Sequence, residues 1–264
     1  MMTTPTAQDR EAAAQLWRHW QAGTRFDALP EAVRPIDRAA GYRIGACMVA
    51  HAGERVVGWK IAATSKAGQA HINVDGPLGG RLLSSRILKP HSSVRLGDNI
   101  MKVAEVEFAF RFARDLPPRS SDHSYDEVMD AVQSLHPSIE IPDSRYNDFT
   151  AVGAPSLIAD TACASWLMIG EPFAETWREL DLAEYEVHAL KADKVVASGA
   201  GRAALGDPRI ALHWLVNEVS RFAEGIKAGD VVTTGTCVVP VPIMEGDYVI
   251  ADYGHLGRLS IVIA

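Results

Sequence analysis

The chain has 264 residues, 47% of them hydrophobic, which suits one sizeable core or a core with a helical extension. A formal net charge of −7 and the lack of any basic run argue against a nucleic-acid surface, and no apolar stretch reaches the roughly 20 residues of a membrane span. The start Met1-Met2-Thr3-Thr4-Pro5 lacks the features of a signal peptide, and Cys47, Cys163 and Cys237 are too scattered for a disulfide frame, so they read as buried thiols of a soluble, cytoplasmic protein.

The alanine-rich stretch from Ala7 to Ala22 predicts a first helix and Asp37 to Ala50 a second, with Pro30 and Pro35 punctuating the link. From Arg55 onward the pattern is mostly strand. Val56-Val57-Gly58-Trp59-Lys60-Ile61 is the first, followed by Val103 to Phe112 and Ser138 to Ile141. Tyr185 to Ala197 alternates around Lys191-Ala192-Asp193 and predicts a hairpin. A later helix starts at the N-cap Asp207 with Pro208 in its first turn. Its buried stripe is Leu212, Leu215, Val216, Val219 and Phe222, Gly225 can close it, and His213 and Trp214 sit beside the stripe as packing or surface residues. Strands return at Asp230 to Val239, Tyr248 to Tyr253 and Leu259 to Ile263. Helices and strands do not alternate regularly, so a doubly wound sheet is not expected. The expectation is an α+β protein, with a helical N-terminal region over residues 1–54 and a curved, mixed β core over 55–264.

Within Lys102-Val103-Ala104-Glu105-Val106-Glu107-Phe108-Ala109-Phe110, strand alternation puts Glu105 and Glu107 on one face and Ala104, Val106, Phe108 and Phe110 on the other. Such acids are either the solvated face of an amphipathic strand or a pair converging on one ion. Glu140 sits in a short apolar strand, Pro137-Ser138-Ile139-Glu140-Ile141-Pro142. It is either an exposed edge residue or a third ligand. Three acids with waters would suit Mg²⁺, and oxygen donors favour Mg²⁺, Mn²⁺ or Ca²⁺ over softer metals.

Four segments occur in a telling order: Gly58-Trp59-Lys60-Ile61, Glu105-Val106-Glu107-Phe108-Ala109-Phe110, Glu140-Ile141-Pro142-Asp143-Ser144-Arg145 and Thr234-Gly235-Thr236. Together they resemble the 2-keto-4-pentenoate hydratase family, with its 2-oxohept-3-ene-1,7-dioate hydratase and 4-oxalocrotonate decarboxylase branches, within the fumarylacetoacetate hydrolase superfamily. The resemblance implies a mixed β-roll core, Mg²⁺ or Mn²⁺ held by Glu105, Glu107 and Glu140, homo-oligomers, and cytoplasmic breakdown of aromatic rings. Its substrates are small 2-hydroxy-2,4-dienoates and their 2-oxo tautomers, which gain water to give 4-hydroxy-2-oxo acids.

On the same footing, Lys60 becomes the candidate for moving protons, with a pKa lowered by burial or as a fixed cation for the substrate carboxylate. Without the motif a strand-end lysine reads as exposed. Thr64, Ser65, Asp160, Ser165 and Thr236 become candidate substrate contacts, each with a turn or capping role as the alternative. One departure stands out. The family carries an acid after a proline where this chain has Pro77-Leu78, and leucine accepts no proton. Asp75 nearby is the candidate replacement in a glycine-rich loop, 74–82, where Arg81 would offer an anion-binding head. Three readings follow: a hydratase with a modified water site, a sibling decarboxylase or lyase on the same metal site, and an inactive 2-oxo-acid-binding scaffold. A C–C bond hydrolase would need a further base, for which no motif selects among His51, His71 and His91.

Overall fold

The computed structural model describes residues 4–173 and 177–264. The Met1-Met2-Thr3 start of the segment compared with a signal peptide lies outside them. Two helices come first, α1 (Ala7–Ala22) and α2 (Arg38–Ala52). Both begin on capping side chains: Thr6 accepts from Asp9 N, and Asp37 from Ala40 N. Both end on a left-handed glycine, Gly23 and Gly53. Ala12, Ala13, Leu16, Ile44, Cys47 and Met48 form a small core between them, completed by Tyr146 and Ala159 from later in the chain.

The chain then runs through β1 (Val56–Ala62), α3 (Lys66–His71), β2 (Leu78–Leu83), β3 (Ile87–Leu88), β4 (Ser93–Val94) and β5 (Val103–Phe112). Next come α4 (Tyr125–Ala131), β6 (Val132–Ile141), α5 (Gly153–Ala159), β7 (Trp166–Ile169), β8 (Glu186–Lys191) and β9 (Lys194–Ala200). The last elements are α6 (Pro208–Phe222), β10 (Val231–Thr236), β11 (Val241–Pro242), β12 (Tyr248–Asp252) and β13 (Arg258–Ile263).

Topology dictates the shape. The larger sheet has the order β2-β1-β10-β5-β6-β7-β3, and β11 pairs beside β5. Its two end strands, β2 and β3, are joined by Ser84–Arg86 alone. So short a link cannot span an open sheet of seven strands, since extended chain covers at most about 3.5 Å per residue. The sheet therefore curls back on itself, giving the mixed β-roll of an α+β protein. The second sheet has the order β4-β13-β12-β8-β9. The hairpin of β8 and β9 turns at Ala192 and Asp193, both at positive φ, as a tight hairpin turn requires.

Alternation along β5 divides the molecule into an apolar layer and a polar interior. Ala104, Val106, Phe108 and Phe110 are fully buried in one core with Val249 and Ile261 of the second sheet and with Tyr253, which follows β12. Glu105 and Glu107 take the opposite face, inside the curl. On α6, Leu212, Leu215, Val216 and Val219 are fully buried in the same core, while Phe222 packs against it. His213 bonds to the His123 carbonyl at 2.8 Å, a packing role as expected.

Strand β2 is a difference from the sequence reading, which placed a loop there. Its six residues are all buried and pair with β1, and its glycines serve close packing rather than mobility.

Tyr253 ties the two sheets together. Its hydroxyl donates to the Glu107 carbonyl at 2.5 Å and accepts from Ser138 N at 3.3 Å. Its ring stacks edge-on to Phe108. Tyr253→Phe keeps the ring and removes these bonds, so urea unfolding will show a loss of about 1–3 kcal/mol with an unchanged slope. An unchanged midpoint would remove Tyr253 from the sheet contact.

Candidate active site

Strand pairing brings the three glutamates together. β5 and β6 are antiparallel neighbours in which Glu105 lies directly opposite Glu140. Glu107 is two residues along on the same face. One carboxylate oxygen from each of the three lies within 4.8 Å of the others. Glu107 and Glu140 are buried, and Glu105 is half-buried at the edge of the group. The solvated-face reading is thereby overturned.

These buried acids lack the partners that buried polar groups normally have. Glu107 Oε1 has no hydrogen bond, and neither oxygen of Glu140 has a partner in hydrogen-bond geometry. Glu107 Oε2 accepts from Gly235 N at 3.0 Å. Gly235 has φ +94°, and a side chain there would strike Thr64 Oγ1, so only glycine permits this bond. Burial first, then the neighbouring Glu140 and Glu105, hold the Glu107 carboxyl well above the usual range. Burial raises Glu105, partly offset by Lys60. Glu140 is pushed up to about 7 by burial, against the pull of Lys60. Converging hard oxygens with unspent lone pairs fit a divalent cation of the Mg²⁺ or Ca²⁺ kind.

Lys60 projects into the same group from β1. It is 2% exposed, and its Nζ lies 3.1 Å from Glu140 Oε1. Burial would depress the ammonium, but Glu140 and then Glu105 outweigh it and hold its pKa above the ordinary lysine range. The lowering that burial alone would cause is thus opposed by the neighbouring carboxylates.

A second contact comes from the backbone, with Lys60 Nζ donating to the Ala162 carbonyl at 3.0 Å. Thr161, Ala162 and Cys163 all have φ between 50° and 62°, a left-handed run without glycine. Each such residue costs on the order of 1 kcal/mol, so the surrounding structure must hold the turn in place. Composition and periodicity gave no signal for it. Beside Lys60, Thr233 Oγ1 is buried without a partner, and so is Thr161 Oγ1 in the turn.

The other predicted residues divide clearly. Thr64 is buried against Gly235, and Thr236 pairs in register with Glu107. Ser65 caps α3, accepting from Gly68 N, and is exposed. Asp160 is fully buried and ion-paired with Arg145, so it anchors backbone rather than reaching substrate. Ser165 lines a separate cavity of about 120 Å³ with Trp20, Arg86 and Arg145. Arg81 is a correction. It lies opposite Trp59, on the face of the sheet away from Lys60, and stacks on that ring at 4.7 Å. Its guanidinium donates to both oxygens of Glu224, at 2.8 and 2.6 Å, leaving no anion-binding head. Asp75 is exposed and makes no hydrogen bond or ion pair among the described residues. Leu78 is buried opposite Ala62, on the Lys60 face, as apolar wall. His51, His71 and His91 are exposed, and His91 bonds to Ser260 Oγ.

The curled sheet shares its fold with fumarylacetoacetate hydrolase from psychrophilic Exiguobacterium antarcticum, at 18% identity over 80% of this chain and 75% of that one and a TM-score of 0.57. 4-Oxalocrotonate decarboxylase from Pseudomonas putida G7, solved with magnesium and adipate, superposes with a TM-score of 0.87. It is 25% identical, with all of both chains covered, and a calcium and acetate complex of the same protein gives 0.86. No protein-family model matches the chain. 2-Keto-4-pentenoate hydratase 1 of Dechloromonas aromatica (strain RCB) is 31% identical over 212 residues, 80% of this chain and 79% of that one. 2-Hydroxyhexa-2,4-dienoate hydratase of Comamonas testosteroni is 34% identical over 74% of this chain and 73% of its own. The chain belongs to the 2-keto-4-pentenoate hydratase family.

The Arg81 assignment has a direct check. Arg81→Met strands Glu224 and will lower stability by about 3 kcal/mol, while magnesium affinity stays within about twofold of wild type. A folded variant with wild-type stability and weakened ligand binding would return Arg81 to the site.

Proposed function

We propose that this chain is a divalent-metal-dependent hydro-lyase. It adds water to a small 2-hydroxy-2,4-dienoate, by way of its 2-oxo tautomer, to give a 4-hydroxy-2-oxo acid in aromatic-ring breakdown. The observation that carries the reading is the cluster of Glu105, Glu107 and Glu140, with orphaned oxygens beside a buried lysine. Family membership supports the reaction, and the magnesium complex of the related decarboxylase supports the choice of ion. Mn²⁺ shares the preference for oxygen ligands. The family likeness also supports a cytoplasmic homo-oligomer, with residues 1–54 as a helical layer on a 55–264 catalytic core.

In this reading Glu105, Glu107 and Glu140 hold the ion. When bound, it supplies Lewis acidity towards the substrate carboxylate and the adjacent oxygen, favouring enolate character. The Lys60 ammonium, held between Glu140 and the Ala162 carbonyl, is placed to donate a proton to the substrate carbon, while the proton lost from the enol hydroxyl returns to the amine through solvent as the 2-oxo form appears. Leu78 and Ala62 supply an apolar wall on the Lys60 face. Thr64, buried against Gly235, is the candidate hydroxyl contact to substrate, whereas the Thr236 hydroxyl donates to the Val238 carbonyl at 2.7 Å.

One observation favours a second reading, decarboxylation of a 2-oxo-enedioate on the same metal site. Water addition calls for a base, yet Leu78 is buried and apolar and Asp75 lies in solvent. Loss of CO₂ needs no activated water. NMR product analysis in heavy water, with magnesium and a panel of 2-hydroxydienoates and 2-oxo-enedioates, separates the two. Hydration is expected as a 4-hydroxy-2-oxo acid, and evolved CO₂ would establish the second reading. No turnover of any substrate would leave an inactive metal-binding scaffold and overturn both. On whichever substrate reacts, Lys60→Met will reduce turnover on the order of 10²–10⁴-fold. Wild-type turnover in that variant would take Lys60 out of the chemistry.

A further inference from the structure

The left-handed turn at Thr161-Ala162-Cys163 is held in place by its surroundings. Every backbone carbonyl from Asp160 to Ala164 receives a donor. Arg145 Nη2 and Cys163 N donate to the Asp160 carbonyl, at 2.6 and 3.2 Å. Ala164 N donates to the Thr161 carbonyl at 3.0 Å and Asp143 N to that of Cys163 at 2.9 Å. Arg145 Nη1 donates to the Ala164 carbonyl at 3.3 Å. The remaining carbonyl, Ala162, accepts from Lys60 Nζ in the site.

Arg145 thus straddles the turn, bonding to the carbonyl just before it and the one just after. Its own position is fixed by the Asp160 carboxylate, which also accepts from Ser144 Oγ and Arg145 N, both at 3.0 Å. The Trp20 ring covers the guanidinium at 4.0 Å. Below the turn lies Gly80, the cross-strand partner of Lys60. A Cβ at residue 80 would stand 1.9 Å from the Thr161 carbonyl oxygen and 3.0 Å from the Ala162 Cβ. Bare backbone beside Lys60 is what lets the turn descend to it.

We propose that Gly80, Arg145 and Asp160 are positioning residues: they seat the 161–163 turn so that the Ala162 carbonyl and Glu140 together fix the direction of the Lys60 ammonium. Its catalytic meaning rests on the function proposed above; the arrangement itself does not. Glu140 alone would leave the ammonium free to swing around one carboxylate, whereas a rigid carbonyl on a second side defines a single orientation.

Two variants test this. Gly80→Ala lifts the turn from Lys60. Arg145→Lys keeps a cation for Asp160 but cannot reach the two flanking carbonyls at once, and it covers the case in which Gly80→Ala does not fold. Each folded variant is expected to lose about tenfold or more in kcat, with KM and magnesium affinity within about threefold of wild type. A purely structural lesion would move melting temperature without this split. A second readout needs no substrate: the Lys60 ammonium signal of isotope-labelled protein, assigned through Lys60→Met. A held, buried ammonium exchanges slowly and gives a sharp signal, which is expected in wild type and broadened or lost in both variants. If the signal and kcat are unchanged in a folded variant, the proposal is wrong. If wild type turns over nothing but the signal changes as expected, the positioning stands and the functional reading fails instead.

Discussion

Burial of three carboxylates against one lysine is the constraint on which the rest of this structure depends. Removing an ionised carboxylate from water is costly, and placing three together adds mutual repulsion. Lys60 offsets one of them through Glu140. The carboxyls of Glu107, Glu105 and Glu140 are all pushed towards the protonated form as a result. A divalent cation would match the two charges left over when all three are ionised. The site is therefore a place where the fold gives up stability to hold hard ligands ready, as functional sites often do.

The architecture explains how such a group can be buried at all. β5 turns one face to a wholly apolar layer and the other to the inside of the curl. Register then puts Glu105 opposite Glu140, while β1 carries Lys60 in from beyond β10. Tyr253 fixes the two sheets at the level of Glu107 through backbone contacts, while the carboxylate accepts from Gly235 N on Oε2 and leaves Oε1 unpartnered.

Much of this was legible in the sequence. The period-two pattern around Glu105 and Glu107 defined the strand and its two faces, and β5 ends where the pattern ends. The cap at Asp207 marked its helix correctly, and the helix expected from Asp37 to Ala50 runs from Arg38 to Ala52 with Asp37 as its cap. The failures share a physical cause, which is that the deciding partner lies far along the chain. Gly79 and Gly80 look like loop residues until the 161–163 turn and Tyr42 are seen to press on them. Arg81 looks like a free anion binder until Glu224 and Trp59 claim it. Asp160 reads as a polar site residue, but Arg145, inside the Glu140 motif, takes its charge. Burial depresses a lysine, yet the local sequence of Lys60 could not reveal that Glu140 would reverse the shift.

The central claim is that Glu105, Glu107 and Glu140 form one divalent-cation site. Calorimetric titration of metal-free protein with magnesium, in wild type and in Glu107→Gln, tests it most directly. Glu107→Gln preserves size and removes one ligand charge. The account predicts one site per chain in wild type and a loss in the variant of about tenfold or more, in a protein that stays folded. Equal magnesium affinity in the two proteins, or no binding to wild type, would contradict it.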